Sequence, residues 1–287
     1  MSRPLSVVIA AKNSSDTLGE QLRALVSQPW PHGGEIIVVD NGSSDKTAEL
    51  ATSFDSSDRP VLVLPCAEVA GAGYARNRGV EAAAFDRIGF CDADDVVGDR
   101  WISTLGNALD SADVVGGFLD LDRLNTRAAA QSRGDWNMSG LPLLGGSVPV
   151  LSSCNLGISR PLFESVGGFD TNYLRSQDAE LSVRIHESGA ETAYAEDMVV
   201  HYRMRNSPRD VFDQAYNWGR NEPFILRQIS ENSPELSPIA MVRSWSWLVR
   251  SLPLLASDAG RFRYAYVLGK RAGFVRGMLD LRLGNAS

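Results

Sequence analysis

Four short runs with apolar centres, all within the first hundred residues, fix what this chain can fold into. Residues 5–10, 35–40 (EIIVVD), 61–64 and 87–92 (RIGFCD) are too short for ordinary helices and lack the polar alternation of a strand with one wet face. Helical spacing fills the intervals. Residues 17–27 carry Leu18, Leu22, Leu25 and Val26 on one face, with Asp16 expected as N-cap; residues 45–53 and 72–84 follow. Strands buried on both faces and alternating with helices make a parallel sheet with right-handed crossovers. Ligands of such sheets sit beyond the carboxyl ends of the strands. Ala11–Asn13, Asp40–Ser44 and Asp92–Asp95 all fall at those ends.

The second half is less regular. Residues 120–153 are rich in Gly, Ser and Pro with little periodicity, and read as a substrate-facing or mobile stretch. A strand at 155–158, a helix at 161–166, the turn GGFD and a helix at 178–188 follow, then short strands at 191–195 and 198–202 and a longer helix at 211–229. Beyond it the chain reads as helices broken at Pro253.

Composition narrows the class. With 287 residues and 44% apolar content the chain has ample material for a core. The expected division is a catalytic domain over residues 1–225, split near 119/120, and a helical extension over 226–287. The window of apolar residues needed for a membrane span is lacking, and the apolar run at the N-terminus is too short for a signal peptide. Cys66, Cys91 and Cys154 are odd in number and widely spaced, which fits a reducing cytoplasm better than a disulfide framework. The net charge of −7 is uneven: residues 239–287 hold eight basic and two acidic residues, a net of +6, leaving −13 on the rest. An acidic body argues against nucleic acid as a partner.

Asp92-Ala93-Asp94-Asp95 is the most telling stretch. Three carboxylates within four residues repel one another, and a strand that only needed to turn would use Gly, Asn or Pro at less cost. A divalent cation, bound by hard oxygen donors, resolves the repulsion. Two other nucleotide folds are disfavoured. The nearest approach to a dinucleotide fingerprint, GAGYAR at 71–76, puts Arg76 where the third glycine belongs and does not follow the first strand; a Gly-Lys-Ser/Thr phosphate loop is absent.

The ordered set SVVIAAKNSSDTL, EIIVVDNGSSDKT, AGAGYARNRGVEAA, GFCDADD, GGFD, QDAELSVRIHESG and VVHY resembles the family 2 glycosyltransferases over residues 5–224. The resemblance implies the GT-A fold, an α/β architecture with a Rossmann-like, mostly parallel central sheet flanked by helices, and an inverting transfer from a nucleotide-diphospho sugar, UDP-sugar favoured, to a hydroxyl acceptor. It implies that Ala11, Asn13 and Asp40 line the base pocket and that Arg76 lies near the base or phosphates. Asp92-Ala93-Asp94 becomes the DxD motif, with Asp92 on the ribose side. Asp94, Asp95 and His201 become ligands of Mn or Mg. Asp178 becomes the base, with Glu180 as its alternative. Gln177 stands where the family usually has Glu.

Each of these residues also has an ordinary reading: an acidic turn at 92–95, a helix cap at Asp45, an Arg76 ion pair with the aspartates, a first-turn carboxylate at Asp178. Two rival functions remain: a sugar-nucleotidyltransferase, whose Gly-rich basic loop is replaced here by Ala11-Lys12-Asn13-Ser14, and a catalytically degenerate nucleotide-sugar-binding module. In the tail, Trp and Leu interleave with Arg, and Gly269, Gly273 and Gly277 recur every four residues. The glycines would let another helix approach closely. The basic aromatic pattern fits either packing or peripheral contact with an anionic membrane at its cytoplasmic face, which would imply a lipid-linked or membrane-proximal acceptor.

Overall fold

A computed structural model of the chain describes residues 3–133, 140–230 and 245–284. In chain order the elements are β1 (Leu5–Ala11), α1 (Leu18–Val26), β2 (Gly34–Asp40), α2 (Thr47–Thr52), β3 (Val61–Pro65), α3 (Ala72–Ala82) and β4 (Arg87–Asp92). Then come β5 (Val96–Val97), α4 (Trp101–Ala108), β6 (Val114–Asp120), α5 (Arg127–Arg133), β7 (Leu143–Leu144), β8 (Val148–Pro149), β9 (Asn155–Ser159), α6 (Arg160–Ser165), α7 (Gln177–Glu187) and β10 (Thr192–His201). The helix α8 (Pro208–Ile229), helical residues 245–250, a 3-10 turn at Leu252–Ala256 and the helix α9 (Asp258–Arg282) complete the described chain. Arg243 and residues 134–139 of the irregular stretch lie outside the described residues.

Two compact units divide the chain. One is formed by Met1–Asp120, Asn137–Leu141 and Pro149–Tyr202, the other by Leu121–Trp136, Pro142–Val148 and Arg203–Ser287. The first carries an eight-stranded sheet in the order β3-β2-β1-β4-β9-β6-β10-β5. β1 to β4 run parallel; β9 is antiparallel to both β4 and β6, so β6 and β10 point the same way as β1 to β4. Val7, Val8 and Ile9, like Ile36 to Val39, are fully buried, as a strand covered on both faces requires.

Close approaches fix both helical layers. A Cβ on Gly79 of α3 would lie 2.3 Å from Cγ1 of Val8, so the helix rests directly on β1. On other strands Gly89 and Gly157 face each other in register and form a notch for Leu105 and Trp101 of α4. Among the largest buried side chains is Trp101 itself, whose Nε1 donates to Oδ1 of Asn155 at 2.8 Å. Asn155 Nδ2 donates in turn to the Phe118 and Met198 carbonyls, stitching β9 to β6 and β10.

Several expectations change. Asp16 does not cap α1: the helix starts at Leu18 behind Thr17, and the Ser14 carbonyl takes the Thr17 and Leu18 amides, so a backbone turn replaces the side-chain cap. The two short strands expected at 191–195 and 198–202 are one strand, β10, with a register shift between Ala195 and Val199. The irregular stretch begins at the last residue of β6, a strand that the sequence does not announce. Gly116 and Gly117 make it read as a loop, yet a Cβ on Gly117 would lie 2.1 Å from the Met198 carbonyl oxygen. The strand needs its glycines because its neighbours crowd it.

In the second unit α8 and α9 lie backbone against backbone. Added Cβ atoms on Gly269, Gly273 and Gly277 would come within 2.4, 2.0 and 2.1 Å of the Phe212, Tyr216 and Arg220 carbonyl oxygens. The four-residue glycine repeat therefore has its partner helix, and Arg220 closes the joint by donating to Asp280 at 2.8 Å. None of the helices among the described residues is long and apolar enough to cross a membrane.

Candidate active site

The carboxyl ends of the parallel strands bring the sequence-selected residues to one edge of the sheet. Ala11 and Asp40 are register partners across β1 and β2, and Ala10 pairs with Asp92 across β1 and β4. Farther along the same edge come Asp120 on β6 and His201 on β10. Since β9 runs the other way, its first residue, Asn155, and the preceding Cys154 arrive there as well.

The loops that follow β1 and β2 brace each other. Asn13 adopts φ +50, its Oδ1 accepts from the Ser44 amide at 2.8 Å, and its own amide donates to the Ser43 hydroxyl at 2.9 Å. Asp40 Oδ1 accepts from the Ser43 amide at 3.0 Å, leaving Oδ2 for other work. Asp45 binds the Thr47 hydroxyl and amide and reaches across to the Ser15 amide. Those bonds, the Thr47 hydroxyl first, hold its carboxyl down at about 2. Asp45 thus belongs to the scaffold that joins the two loops.

Arg76 is only 3% exposed, and its Nη2 donates to Asp92 Oδ1 at 2.6 Å. Its guanidinium lies 5.4 Å above the Phe169 ring, a cation–π arrangement. Nε and Nη1 of Arg76 are buried and find no acceptor among the described residues. An anionic ligand is the natural complement of such donors. Asn77 brackets the backbone of Phe169, donating to its carbonyl at 2.8 Å and accepting from its amide at 2.9 Å. These contacts explain why YARNRG and GGFD occur together.

Asp92, Asp95 and Cys154 form a cluster whose ligand atoms lie within 4.8 Å of one another. Two carboxylate oxygens suit a hard divalent cation, and the thiol adds a softer donor. Burial, then Asp95 and Asp92, pushes the Cys154 thiol well above its ordinary value. Asp94, half-buried, and His201 are not members of this cluster; the His201 ring is engaged by Asp120 instead. Ala93 is buried between the aspartates.

Across the site, α7 starts behind Ser176, whose φ of +59 makes it, with Asn13, one of two non-glycine residues in the left-handed region among the described residues. Such conformations persist where the surroundings impose them, often at functional sites. Asp178 follows in the first turn. The residue keeps some exposed surface, yet its carboxyl is enclosed enough that burial raises its pKa; the Arg76 charge opposes that shift and Asp92 adds to it. Glu180 has a different setting: it is 3% exposed and held by Arg184 through two bonds, at 2.7 and 2.5 Å. Asp120, Cys154, Asn155 and Phe169 are not legible as site residues in the sequence. Phe169 alone had a visible signal, the GGFD turn.

The family model described as Glycosyl transferase family 2 matches residues 6–167. Glycosyltransferase AglE of Haloferax volcanii is 27% identical over 200 residues, covering 68% of this chain and 65% of that protein. This chain therefore spans less than two thirds of that relative's length. Two solved structures share the fold. The mannosyltransferase PcManGT of Pyrobaculum calidifontis, in complex with GDP-Man and Mn2+, superposes with a TM-score of 0.70 at 17% identity, covering 96% of this chain and 87% of that one. TarS 1-349 of S. aureus, in complex with UDP-GlcNAc, gives a TM-score of 0.56 at 15% identity, with coverages of 98% and 92%.

Proposed function

This chain belongs to glycosyl transferase family 2, and from that premise we propose that it transfers a sugar from a nucleotide-diphospho donor to a hydroxyl acceptor, with inversion at the anomeric carbon. The observation that carries the proposal is the gathering of Asp40, Asp92 and the buried Arg76 at one sheet edge, with the enclosed carboxyl of Asp178 electrostatically coupled to Arg76 and Asp92. In this reading Ala11, Asn13 and Asp40 take the base, with uracil favoured. Arg76, Asp92, Ala93 and Asp94 take the ribose and the diphosphate. Asp94, Asp95 and His201 are the proposed ligands of Mn or Mg, and the oxygen donors around Asp92 and Asp95 fit such a hard cation. When bound, the cation supplies neutralisation of the departing diphosphate.

Asp178 is the proposed base. A carboxylate whose proton affinity is raised by burial accepts the acceptor's hydroxyl proton more readily than one in water. Glu180 is poorly suited, because Arg184 already occupies both of its oxygens. The exposed apolar and basic residues of the tail support a further part of the reading, peripheral contact with an anionic membrane surface and a lipid-linked or membrane-proximal acceptor.

The test is turnover by the purified chain of a panel of UDP- and GDP-sugars, read as nucleoside diphosphate release with and without manganese. Manganese-dependent release from a UDP-sugar is expected. Donor binding without release under any condition would replace the transferase with a binding module. Pyrophosphate formation from a sugar phosphate and a nucleoside triphosphate would replace it with a nucleotidyltransferase.

A further inference from the structure

Arg263 and Arg271 stand about two turns apart on α9, and both reach one aromatic ring. Their guanidinium carbons lie 5.9 and 5.4 Å from the centroid of Trp247, which belongs to the helical residues before α9. Two cations drawn to one ring repel each other, and attraction to the ring offsets part of that cost. A carboxylate between them would be the usual remedy. The two acidic residues of α9 are committed elsewhere. Asp258 pairs with Arg261 at 3.3 Å, and Asp280 pairs with Arg220 at 2.8 Å and Arg276 at 2.9 Å. Glu222 of α8 pairs with Lys270 at 3.4 Å. Among the described residues Arg263 and Arg271 have no ion pair.

Nη1 of Arg271 is buried and has no hydrogen-bond acceptor among the described residues. A buried donor of this kind calls for a complement. Burial also lowers the Arg271 pKa below the ordinary arginine value, as expected of a cation partly withdrawn from water. Arg263 is exposed, which leaves the cluster open to solvent. An arginine stacked on a ring keeps its planar fork of donors, and that fork matches the oxygens of a phosphate. Two forks offer more donors than the two oxygens of a carboxylate can use, whereas a phosphate monoester presents three strong acceptors. We propose that Arg263 and Arg271, braced on Trp247, form a binding site for a phosphate monoester. This chemistry has two sources: a lipid headgroup, which the exposed Val249 and Leu252 of the same segment favour, and a free phosphate. Were the arginines there only to hold Trp247 on α9, the chain would respond to anions by charge alone.

Co-sedimentation of the full chain separates these cases. Phosphatidylcholine vesicles carrying phosphatidic acid are compared with vesicles carrying phosphatidylserine, matched for surface charge. Binding about tenfold tighter to phosphatidic acid is expected, the scale of one charge-assisted hydrogen bond. Arg271→Lys and Arg263→Lys keep the charge and lose the fork, so each should remove the preference and leave binding to phosphatidylserine unchanged. Arg263 is exposed, so its variant tests the site even if Arg271→Lys does not fold. In a second arm inorganic phosphate is titrated by calorimetry into the chain with UDP present to fill the donor site. Phosphate binding that the variants lose, without a preference between vesicles, assigns the site to a free phosphate. Equal binding to the two vesicles together with no phosphate binding overturns the site and leaves the membrane reading standing. A vesicle preference or phosphate binding that the variants keep overturns it too. Phosphate binding lost in the variants, with no binding to either vesicle, keeps the site and overturns the membrane reading; binding to neither phosphate nor vesicles overturns both.

Discussion

Asp178 and Glu180 stand two residues apart in one helical turn, and their surroundings give them opposite chemistry. Glu180 is held by Arg184 through both of its oxygens, whereas Asp178 is a carboxyl that burial pushes toward its neutral form. Asp178→Asn should therefore bind donor normally and lose at least about a hundredfold in turnover, the usual scale for a positioned base. The same substitution should raise the melting temperature at neutral pH. A carboxyl whose pKa is higher folded than unfolded makes stability fall as pH climbs from the unfolded value toward the folded one, and Asn removes that loss. The difference should vanish below about pH 4, where both states are protonated. A lowered melting temperature at neutral pH would mean that Asp178 is held as a needed anion. Asp94 and Asp92 separate differently. Asp94→Ala should abolish metal-dependent UDP binding, measured by calorimetry, with little change in stability. Asp92→Ala should lose binding and about 1–3 kcal/mol of stability, because it strands the buried Arg76; the partial exposure of Asp92 keeps the cost below the roughly 3–5 kcal/mol of a fully buried pair. Equal stability in the two variants would contradict the role of that pair. At this scale the charged residues were legible because isolated charge at a strand end is costly and so needs a reason. Cys154 and Asn155 were not, since a small thiol and an amide beside an apolar strand look like ordinary core and turn residues.

The helix pair α8 and α9 shows what a pattern discloses and what it withholds. The spacing of Gly269, Gly273 and Gly277 announced a close helical neighbour, but which helix answers it depends on Gly219, whose own Cβ would lie 2.0 Å from the Lys270 carbonyl oxygen. Gly273→Leu should cost about 1–3 kcal/mol by forcing the helices apart, measured by chemical unfolding. Gly106→Ala is the control: its Cβ would meet nothing nearer than 3.9 Å, so it should be neutral or stabilising by up to ~1 kcal/mol. Equal losses in both would show that glycine is needed for reasons other than contact. Asp280, on the buried side of α9, has its pKa lowered first by the hydrogen bond from Arg220 and further by Arg276. Its contribution is present above the unfolded carboxylate range and is lost as pH falls through the folded value. Asp280→Asn should therefore lower the melting temperature at neutral pH and match the unmodified chain in acid. Strands follow the same lesson. β1, β2, β3 and β4 were legible because an unbroken apolar run has few other uses. β6 was not, because the glycines that let β9 and β10 approach it are the residues that mark a loop elsewhere.

At the scale of the whole molecule, the order of motifs disclosed the parallel half of the sheet and its ligand edge, while the antiparallel insertion of β9 between β4 and β6 depends on contacts far apart in the chain. Charge is likewise a property of the whole: −13 before residue 239 and +6 after it. The basic end carries exposed apolar side chains, with Val249 at 70% exposure and Leu252 at 51%, and Trp245, Leu254 and Leu255 at 38% each. Arg250 and Arg261 are exposed among them, while Arg263 and Arg271 stack over Trp247 and keep that ring within the fold. This rim precedes α9 in the chain and, among the described residues, keeps much of its apolar surface exposed. Apolar residues interleaved with arginines are the chemistry of an interfacial segment on anionic lipid. Vesicles containing phosphatidylserine should therefore co-sediment with the full chain at low salt and release it at high salt, where the basic contribution is screened. Deleting the tail would be a poor test, because it strips α8 of its partner helix. Val249→Glu and Leu252→Glu are better: both positions are exposed, so folding should be unaffected while lipid binding falls. Full-length chain that stays in the supernatant at low salt, or variants that bind as well as the parent, would return the rim to ordinary solvent-facing surface.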